Sequence, residues 1–321
     1  MSKLSLKHKN SKLKYYVLNY GRQLVPSNFY QKRLSKELSY FNQLLEEDQK
    51  EVLGRVNYYI QLEEPFQLSM KSKKLHDLSV RQGHKTYYFD MYENGRYFDQ
   101  ELRGHFLFGD ITKIPSEPSF VKSRPISATN HTAVLLKWNK VRHFVFIKDD
   151  LAAFAQKKNM LVGRGSVYPS QPQRMRFLEM YIDHPMCNIG QSNTDKPNPR
   201  WMKPSMTIDQ QLEYKFILSI EGNDVATNLK WIMSSNSLAV MPKPKYETWF
   251  MEGQLVPDMH YVAIKDDYSD LEERLQYYID NPHAAALIIE NARQHVAQFQ
   301  NKKIEDLISL MVMDRYFSLA K

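Results

Sequence analysis

Short apolar runs alternate with longer amphipathic stretches along the second half of the chain. Residues 161–166 form an apolar run that ends in a glycine turn, and residues 171–182 follow with apolar side chains at helical spacing. The succession returns at 260–264 and 266–279. Because neighbouring parallel strands are joined by crossover helices, this alternation predicts α/β units with mostly parallel sheets.

The first half of the chain is less regular, and aromatic side chains dominate its apolar runs. Leucine and aromatic residues recur at mixed three- and four-residue spacings over 27–60, and turn residues separate the other runs. The resulting assignments are a strand in YYVLNY within 12–26, a helical stretch over 27–60, an aromatic hairpin over 86–98 around Glu93-Asn94-Gly95, a strand over 105–115 that ends at Gly109-Asp110, and a strand over 143–150.

The chain of 321 residues is long enough for two medium domains, each with its own core. The two sets of α/β units predict two Rossmann-like domains that face a cleft, residues 1–150 and 151–300. A final helix over 301–321 would cross back to the first domain. In such sheets, ligands bind at the carboxyl ends of the strands.

Charge is concentrated at the start of the chain. The segment up to Lys36 contains nine Lys and Arg residues and no Asp or Glu, although the whole chain carries only +8. Such a segment favours an anionic partner, either lipid headgroups or a phosphorylated substrate, or is simply a solvated surface. Nucleic acid is not expected as a partner, because no nucleic-acid-binding signature accompanies the charge.

The composition also bears on the compartment. Cys187 is the single cysteine, so no disulfide can form within the chain, and a cytoplasmic location is expected. No apolar run approaches the roughly 18 residues that a membrane span needs, and the N-terminus does not resemble a signal peptide. Peripheral association with the inner face of a membrane remains compatible with these features.

Residues 221–250 contain the richest combination of candidate chemistry. Gly222-Asn223-Asp224 reads as a turn, and Val225-Ala226-Thr227-Asn228 would open a helix that carries Lys230. The amides of a helix N-terminus and a nearby lysine suit a phosphate group. Taken alone, the same residues favour an ordinary capped helix with a solvated lysine, because neither a P-loop nor a G-x-G-x-x-G pattern is present.

Two other positions follow strands. Arg164, between Gly163 and Gly165, could hold a phosphate in a bidentate manner, and Ser166 could donate a hydrogen bond, although an arginine in a glycine turn is often only exposed. Asp110 could serve as a general base or as a simple turn cap. We expect no metal and no other cofactor, since Asp-x-Asp, HExxH and Cys/His ligand spacings are missing from the sequence.

The order of these segments resembles the capsule-associated and protein O-glucosyltransferase family, in particular its bacterial lipopolysaccharide core glycosyltransferases. The resemblance is carried by YKFILSIEGNDVATNLKW (214–231), SLAVMPKPKYETWF (237–250) and HYVAIKDDYSDLEERL (260–275). Upstream, FGDITKIPSEPSFVKSR (108–124) and LVGRGS (161–166) fit the same pattern. The similarity covers about residues 105–300.

The resemblance implies a metal-independent, inverting transferase of the GT-B type that uses a UDP-sugar as co-substrate. Asp110 matches the catalytic aspartate. The residues that match donor-binding positions are Arg164, Gly165, Ser166, Asp224, Val225, Ala226, Thr227, Asn228, Lys230 and Glu247. The implied function is transfer of a hexose to a sugar hydroxyl of the lipopolysaccharide core.

The sequence departs from the family pattern in two places. Lys230 stands where the family has arginine, which replaces a bidentate grip by a point charge. The aromatic loop that reads peptide acceptors is missing after Asp110, which favours a glycolipid acceptor over a folded protein. The alternatives are a non-catalytic polyanion-binding protein on a degenerate transferase fold, and a sugar-phosphate transferase.

Overall fold

The computed structural model describes residues 8–321, which divide into two compact units. The N-terminal unit comprises Ser11–Val141, Tyr246–Met251 and Phe299–Lys321. The central unit comprises Arg142–Lys245 and Glu252–Gln298, with the described residues of Met1–Asn10.

The boundaries of these units differ from the predicted domain boundaries. Residues 142–150 group with the central unit, whereas 246–251 group with the N-terminal unit. The C-terminal helix, which was expected to cross back to the first domain, groups with the N-terminal unit. Lys3 and Lys7 of the predicted basic segment lie outside the described residues. Within residues 8–321, no helix combines the length and the apolar character that crossing a bilayer requires.

The helices account for most of the regular structure. In chain order they are α1 (Lys12–Gln23), α2 (Ser27–Gln31), α3 (Leu34–Ser39), α4 (Glu46–Tyr59), α5 (Lys85–Gly95), α6 (Lys140–His143), α7 (Pro172–Tyr181), α8 (Ile208–Gln211), α9 (Leu229–Met233), α10 (Leu271–Asp280), α11 (Pro282–Ala297) and α12 (Lys302–Leu319).

The strands are short. In chain order they are β1 (Lys73–Lys74), β2 (Arg103–Leu107), β3 (Ser119–Val121), β4 (Ser123–Pro125), β5 (Ala133–Leu135), β6 (Lys158–Gly165), β7 (Cys187–Gln191), β8 (Tyr214–Leu218), β9 (Leu238–Met241), β10 (Tyr246–Thr248) and β11 (Val262–Ala263).

Two segments that the sequence predicted as strands are helices. YYVLNY lies in α1, which begins after the side-chain cap of Ser11, and the predicted hairpin over 86–98 is α5. Helical spacing lets the two helices pack, with the rings of Tyr20 and Phe89 5.0 Å apart and the Tyr15 hydroxyl donating to Asp90 at 2.8 Å. Packing therefore overrides the strand preference of aromatic residues.

Two further assignments are corrected. The helical stretch over 27–60 is broken into α2, α3, a single 3₁₀ turn and α4. The predicted strand over 143–150 has no ladder after α6. Ile147 donates its amide to the Ser234 hydroxyl, and Asp150 accepts from Lys157 and Asn236. Side chains thus take the hydrogen bonds that a strand would give to its neighbours.

The N-terminal unit is built around the sheet β1-β2-β3-β5. β2, β3 and β5 are parallel, and β1 pairs antiparallel to β2. Phe120 and Val134 are fully buried in its core. β4 and β10 form a separate antiparallel ribbon. The parallel strands direct the chain after β2 towards the carboxyl edge of the sheet, where Asp110 lies.

The central unit contains a five-stranded sheet whose pairs are all parallel, in the order β11-β9-β8-β6-β7. Apolar side chains from β6, β8, β9, α7, α10 and α11 form one core, which includes the fully buried Leu161, Phe216 and Leu275. The predicted mixed α/β class with parallel sheets is confirmed by the structure.

Candidate active site

The strand order of the central unit creates a crevice between β6 and β8. β7, the second strand of this sheet in the chain, lies on one side of β6, and β8, the third, lies on the other. The connections after β6 and β8 therefore leave the carboxyl edge in opposite directions. Such a switch point is where open parallel sheets bind their ligands.

Arg174 of α7 joins the two loops that line this crevice. Its guanidinium donates to the carbonyl of Ser166 at 2.8 Å, and to those of Ile220 and Glu221 at 2.9 and 3.0 Å. Burial lowers the pKa of Arg174, while Asp224 acts in the opposite direction. The arginine fixes the loop shapes by satisfying carbonyls that end β6 and β8.

Gly222 lies where the second loop passes close to α7. A Cβ atom at this position would stand 3.1 Å from Nε2 of Gln171 and 3.2 Å from Nη2 of Arg174. Gln173 also donates to the Gly222 carbonyl at 2.7 Å. The backbone of the predicted turn therefore approaches α7 closely.

A pocket opens beside this turn, at the carboxyl ends of β8 and β9. Its cavity volume is about 90 Å³, which is smaller than the roughly 300–1,000 Å³ typical of pockets for drug-sized ligands. Val225 and charged side chains of both signs line the pocket. The charged side chains are Glu221, Lys243, Lys245, Glu252 and Asp266.

The loop from Val225 to Asn228 provides backbone amides next to the pocket. In the described part of the chain, the N–H groups of Val225, Ala226 and Thr227 donate to no protein acceptor. The predicted helix does not begin at Val225: α9 starts at Leu229, because Asn228 turns its side chain to the carbonyl of Leu218 at 2.8 Å. The amides thus belong to a loop.

Lys230 is buried within the central unit. Lys230 lies in α9, and its side chain is fully buried. Its Nζ lies 2.5 Å from Oε1 of Glu252, which is also buried. The ammonium group is thus neutralised inside the unit, and Lys230 is not among the residues that line the pocket. Its predicted contact with a diphosphate stays a prediction.

Arg164 is engaged by the protein itself. Its guanidinium donates to the carbonyls of Asn188 and Pro204 at 2.6 and 2.9 Å, and to the Asn188 side chain at 2.8 Å. Burial lowers its pKa. Gly165 and Ser166 lie at the crevice instead, through carbonyls that accept from Ser192 and Arg174. The predicted donor contacts of this turn stay predictions.

Asp110 lies in the N-terminal unit, beyond the carboxyl end of β2. Gly109 before it has φ +115°, a conformation that glycine adopts readily, and this turns the chain at the edge of the sheet. Oδ1 of Asp110 accepts from Nζ of Lys122 at 2.7 Å. The lysine side chain is 2% exposed and that of the aspartate 40%. A buried cation therefore holds a carboxylate that solvent can reach.

Glu247 lies in β10 opposite Arg124 of β4. Its carboxylate accepts from Nε of Arg124 at 2.7 Å and from the hydroxyl of Tyr58, and its side chain is 6% exposed. Arg124 also donates to the carbonyls of Ala133 and Tyr58. The ion pair ties the ribbon to the N-terminal unit, and the predicted donor contact of Glu247 stays a prediction.

The structure groups Asp224, Val225, Ala226, Thr227 and Asn228 around the crevice of the central unit. It adds residues that sequence reasoning did not select, namely Gln173, Arg174, Lys243, Lys245 and Tyr268. The proline-flanked lysines of MPKPK were the available signal for two of them, since the segment directly follows a strand. Among the described residues, no cluster of three or more His, Cys, Asp or Glu side chains suits a metal ion.

Comparison with known proteins gives a consistent result. The sequence pattern described as Glycosyl transferase family 90 matches residues 130–321. The chain is 44% identical over 308 residues to O-glucosyltransferase LpsA of Dichelobacter nodosus, a similarity that covers 96% of each protein. It is 30% identical over 129 residues to Uncharacterized protein 179R of Invertebrate iridescent virus 6, covering 37% of this chain and 11% of the viral protein.

Proposed function

The chain belongs to glycosyl transferase family 90, and from this premise we propose that it transfers a hexose from a UDP-sugar to a sugar hydroxyl of the lipopolysaccharide or lipooligosaccharide core. That it is a glycosyltransferase follows from the family and from its similarity to LpsA. The identity of donor and acceptor, inversion at the anomeric carbon, the GT-B arrangement and independence of metal ions are parts of the proposal.

The observation that carries the donor assignment is the crevice of the central unit. A parallel sheet with a switch point, a pocket at its carboxyl edge and the amides of Val225, Ala226 and Thr227 occur together there. Amide groups and lysines are suitable partners for a diphosphate. Lys243 and Lys245 supply the positive charge at the pocket, Lys245 from an exposed ion pair with Asp266 at 3.4 Å. Arg164 is hydrogen-bonded within the protein and Lys230 is buried.

In the proposed reaction, the carboxylate of Asp110 removes the proton from the acceptor hydroxyl. The oxygen attacks the anomeric carbon, the bond from that carbon to the diphosphate breaks, and UDP leaves with the electron pair. The amides of 225–227 and the pocket lysines stabilise the charge that develops on the diphosphate. Lys122 orients the Asp110 carboxylate through its hydrogen bond.

The acceptor is proposed to be a lipid-linked core saccharide at the cytoplasmic face of the inner membrane. The name of the relative, O-glucosyltransferase LpsA, makes glucose the first donor sugar to test. The absent peptide-reading loop after Asp110 agrees with a glycolipid rather than a protein.

Titration calorimetry with UDP-glucose, UDP-galactose and UDP-xylose tests the donor. The Asp110→Asn variant tests the base: we expect turnover to fall by about 10²–10⁴ while donor binding is kept, because general-base catalysis contributes that much. Asp183→Asn, which alters an exposed aspartate on the central unit, serves as the matched control.

Three results would contradict parts of the proposal. A loss below about tenfold in Asp110→Asn would remove the general-base role. Loss of turnover in EDTA that Mg²⁺ restores would remove metal independence. Salt-sensitive binding of polyanions without any UDP binding would instead favour the non-catalytic alternative.

A further inference from the structure

Helix α1 carries an apolar stripe on its solvent-facing side. Leu13 is 77% exposed, Val17 62%, Tyr20 47% and Leu24, at the C-terminal cap, 84%. Their spacing of four, three and four residues places them one above another on a helix. A soluble helix normally turns such a stripe towards its core.

The opposite side of α1 is the one that packs on the N-terminal unit. Asn19 is buried, and Tyr15 donates to Asp90 and to the carbonyl of Thr86. Arg22 pairs with Glu93 at 2.6 Å. These polar contacts and the packing of Tyr20 on Phe89 hold the helix in place, and Leu13, Val17 and Leu24 face outward.

Lysines border the stripe on both sides. At about 100° per residue, Lys12 and Lys14 lie roughly 100° from Leu13 in opposite directions around the helix. Both are exposed. Lysine stems can lie along an apolar surface while the ammonium group reaches outward. This arrangement of apolar centre and basic borders is characteristic of helices that lie in a membrane interface.

We propose that α1 docks on an anionic bilayer, with Leu13, Val17 and Leu24 inserted at the level of the headgroups and Tyr20, which packs on Phe89, beneath them. Charge complementarity selects this occupant, because the chain up to Lys36 carries nine basic residues and no acidic one. The proposal concerns a surface, and its test requires no catalysis.

Docking through α1 requires insertion of apolar side chains in addition to charge attraction by a basic N-terminus. A purely electrostatic contact would need the lysines and not the apolar side chains. A lipid-linked acceptor gives the docking a purpose, and in that respect the inference rests on the proposed function. Binding to vesicles nevertheless succeeds or fails independently of donor use.

The test is co-sedimentation of the full chain with vesicles of phosphatidylcholine alone or mixed with phosphatidylglycerol. The stripe variant carries Leu13→Gln, Val17→Gln and Leu24→Gln. A matched control replaces three exposed apolar residues elsewhere, Leu45→Gln, Met70→Gln and Leu151→Gln, whose side chains are 76%, 97% and 92% exposed. Circular dichroism and UDP-sugar calorimetry check that fold and donor binding are unchanged in both.

We expect the wild type and the control to bind the mixed vesicles. The affinity of the stripe variant should be lower by a factor of about ten or more, since burial of even one leucine corresponds to that factor. Lys12→Gln with Lys14→Gln should reduce binding by about fivefold for each lysine. Weak binding of the wild type to phosphatidylcholine alone would agree with this.

Equal binding of the stripe variant and the wild type would overturn the proposal, leaving only charge attraction. Absence of wild-type binding would overturn it as well. If the wild type were a dimer in solution and the stripe variant a monomer, the stripe would be covered by a second copy, and the membrane assignment would be wrong. Unchanged calorimetry in each case separates these failures from failure of the donor proposal.

Discussion

Two carboxyl groups one turn apart on α5 are expected to affect stability with opposite pH dependence. Burial by itself raises the pKa of Glu93, but Lys140 and Arg22 outweigh it and lower the value from 4.5 to about 2. Burial raises the pKa of Asp90 from 3.8 to about 6, against the opposing effect of Lys140. Glu93→Gln and Asp90→Asn probe the two groups separately.

The magnitudes follow from these pKa values. The fall from 4.5 to about 2 corresponds to about 3.4 kcal/mol of folded-state stability at pH 7. This contribution is complete above pH 4.5 and declines as pH falls towards 2. For Asp90, the rise from 3.8 to about 6 costs about 3 kcal/mol at pH 7. That cost disappears as pH falls from about 6 towards 3.8, because the folded state then gains the proton first.

Urea unfolding between pH 7 and pH 3 measures both effects. Relative to the wild type, Glu93→Gln should lose about 3 kcal/mol at pH 7 and only about 1.4 kcal/mol at pH 3. Asp90→Asn removes the charged state, so its stability relative to the wild type should fall by about 2 kcal/mol between pH 7 and pH 4. Fixed hydrogen-bond losses, including that of the Tyr15 hydroxyl, displace this curve without changing its slope.

The slopes therefore decide the outcome. A difference between wild type and Glu93→Gln that does not change from pH 7 to pH 3 would show that the carboxylate is not stabilised by Lys140 and Arg22. The stability of Glu93→Gln relative to the wild type is expected to rise as the pH falls. If the relative stability of Asp90→Asn also rose as the pH falls, the assigned burial of Asp90 would be refuted.

The remaining predictions concern packing and one buried ion pair. Gly54→Ala, with nothing within 4 Å of the new Cβ in α4, should raise the unfolding free energy by about 0.5–1 kcal/mol. Gly222→Ala should lower it by about 1–3 kcal/mol by crowding Arg174, and should weaken UDP-sugar binding in calorimetry; equal effects at the two glycines would contradict the close approach. Lys230→Met should cost about 3–5 kcal/mol in urea unfolding, because the buried Glu252 loses its ion pair with Lys230. Unchanged stability with lost donor binding would instead favour the diphosphate role of Lys230.

The elements that sequence patterns predicted well are those whose local and tertiary preferences agree. β6, α7, α10 and α11 follow the predicted alternation, because apolar runs of strand length and stretches at helical spacing meet in one parallel sheet. α1 and α5 were predicted wrongly for the opposite reason. Their tyrosines favour strands locally, whereas their contacts with each other require helical spacing.

For the candidate site, too, the sequence indicates where residues lie but not what their side chains contact. The family resemblance directs attention to the loops after β2, β6 and β8, all of which lie at carboxyl edges of parallel strands. It does not reveal which side chains the fold already employs. The guanidinium of Arg164 donates hydrogen bonds to Asn188, and the ammonium of Lys230 pairs with Glu252. Both contacts join segments that no local pattern connects.

Arg174 illustrates why such contacts escape a reading of the sequence alone. Nothing in QPQRMRF distinguishes this arginine from Arg176, since each would be exposed on an isolated helix. Only the strand order, which brings the ends of β6 and β8 together beside α7, gives it three carbonyls to satisfy. The loops that shape the crevice are thus held by a residue whose role only the topology reveals, and the amides of 225–227 follow directly after the turn that this arginine fixes.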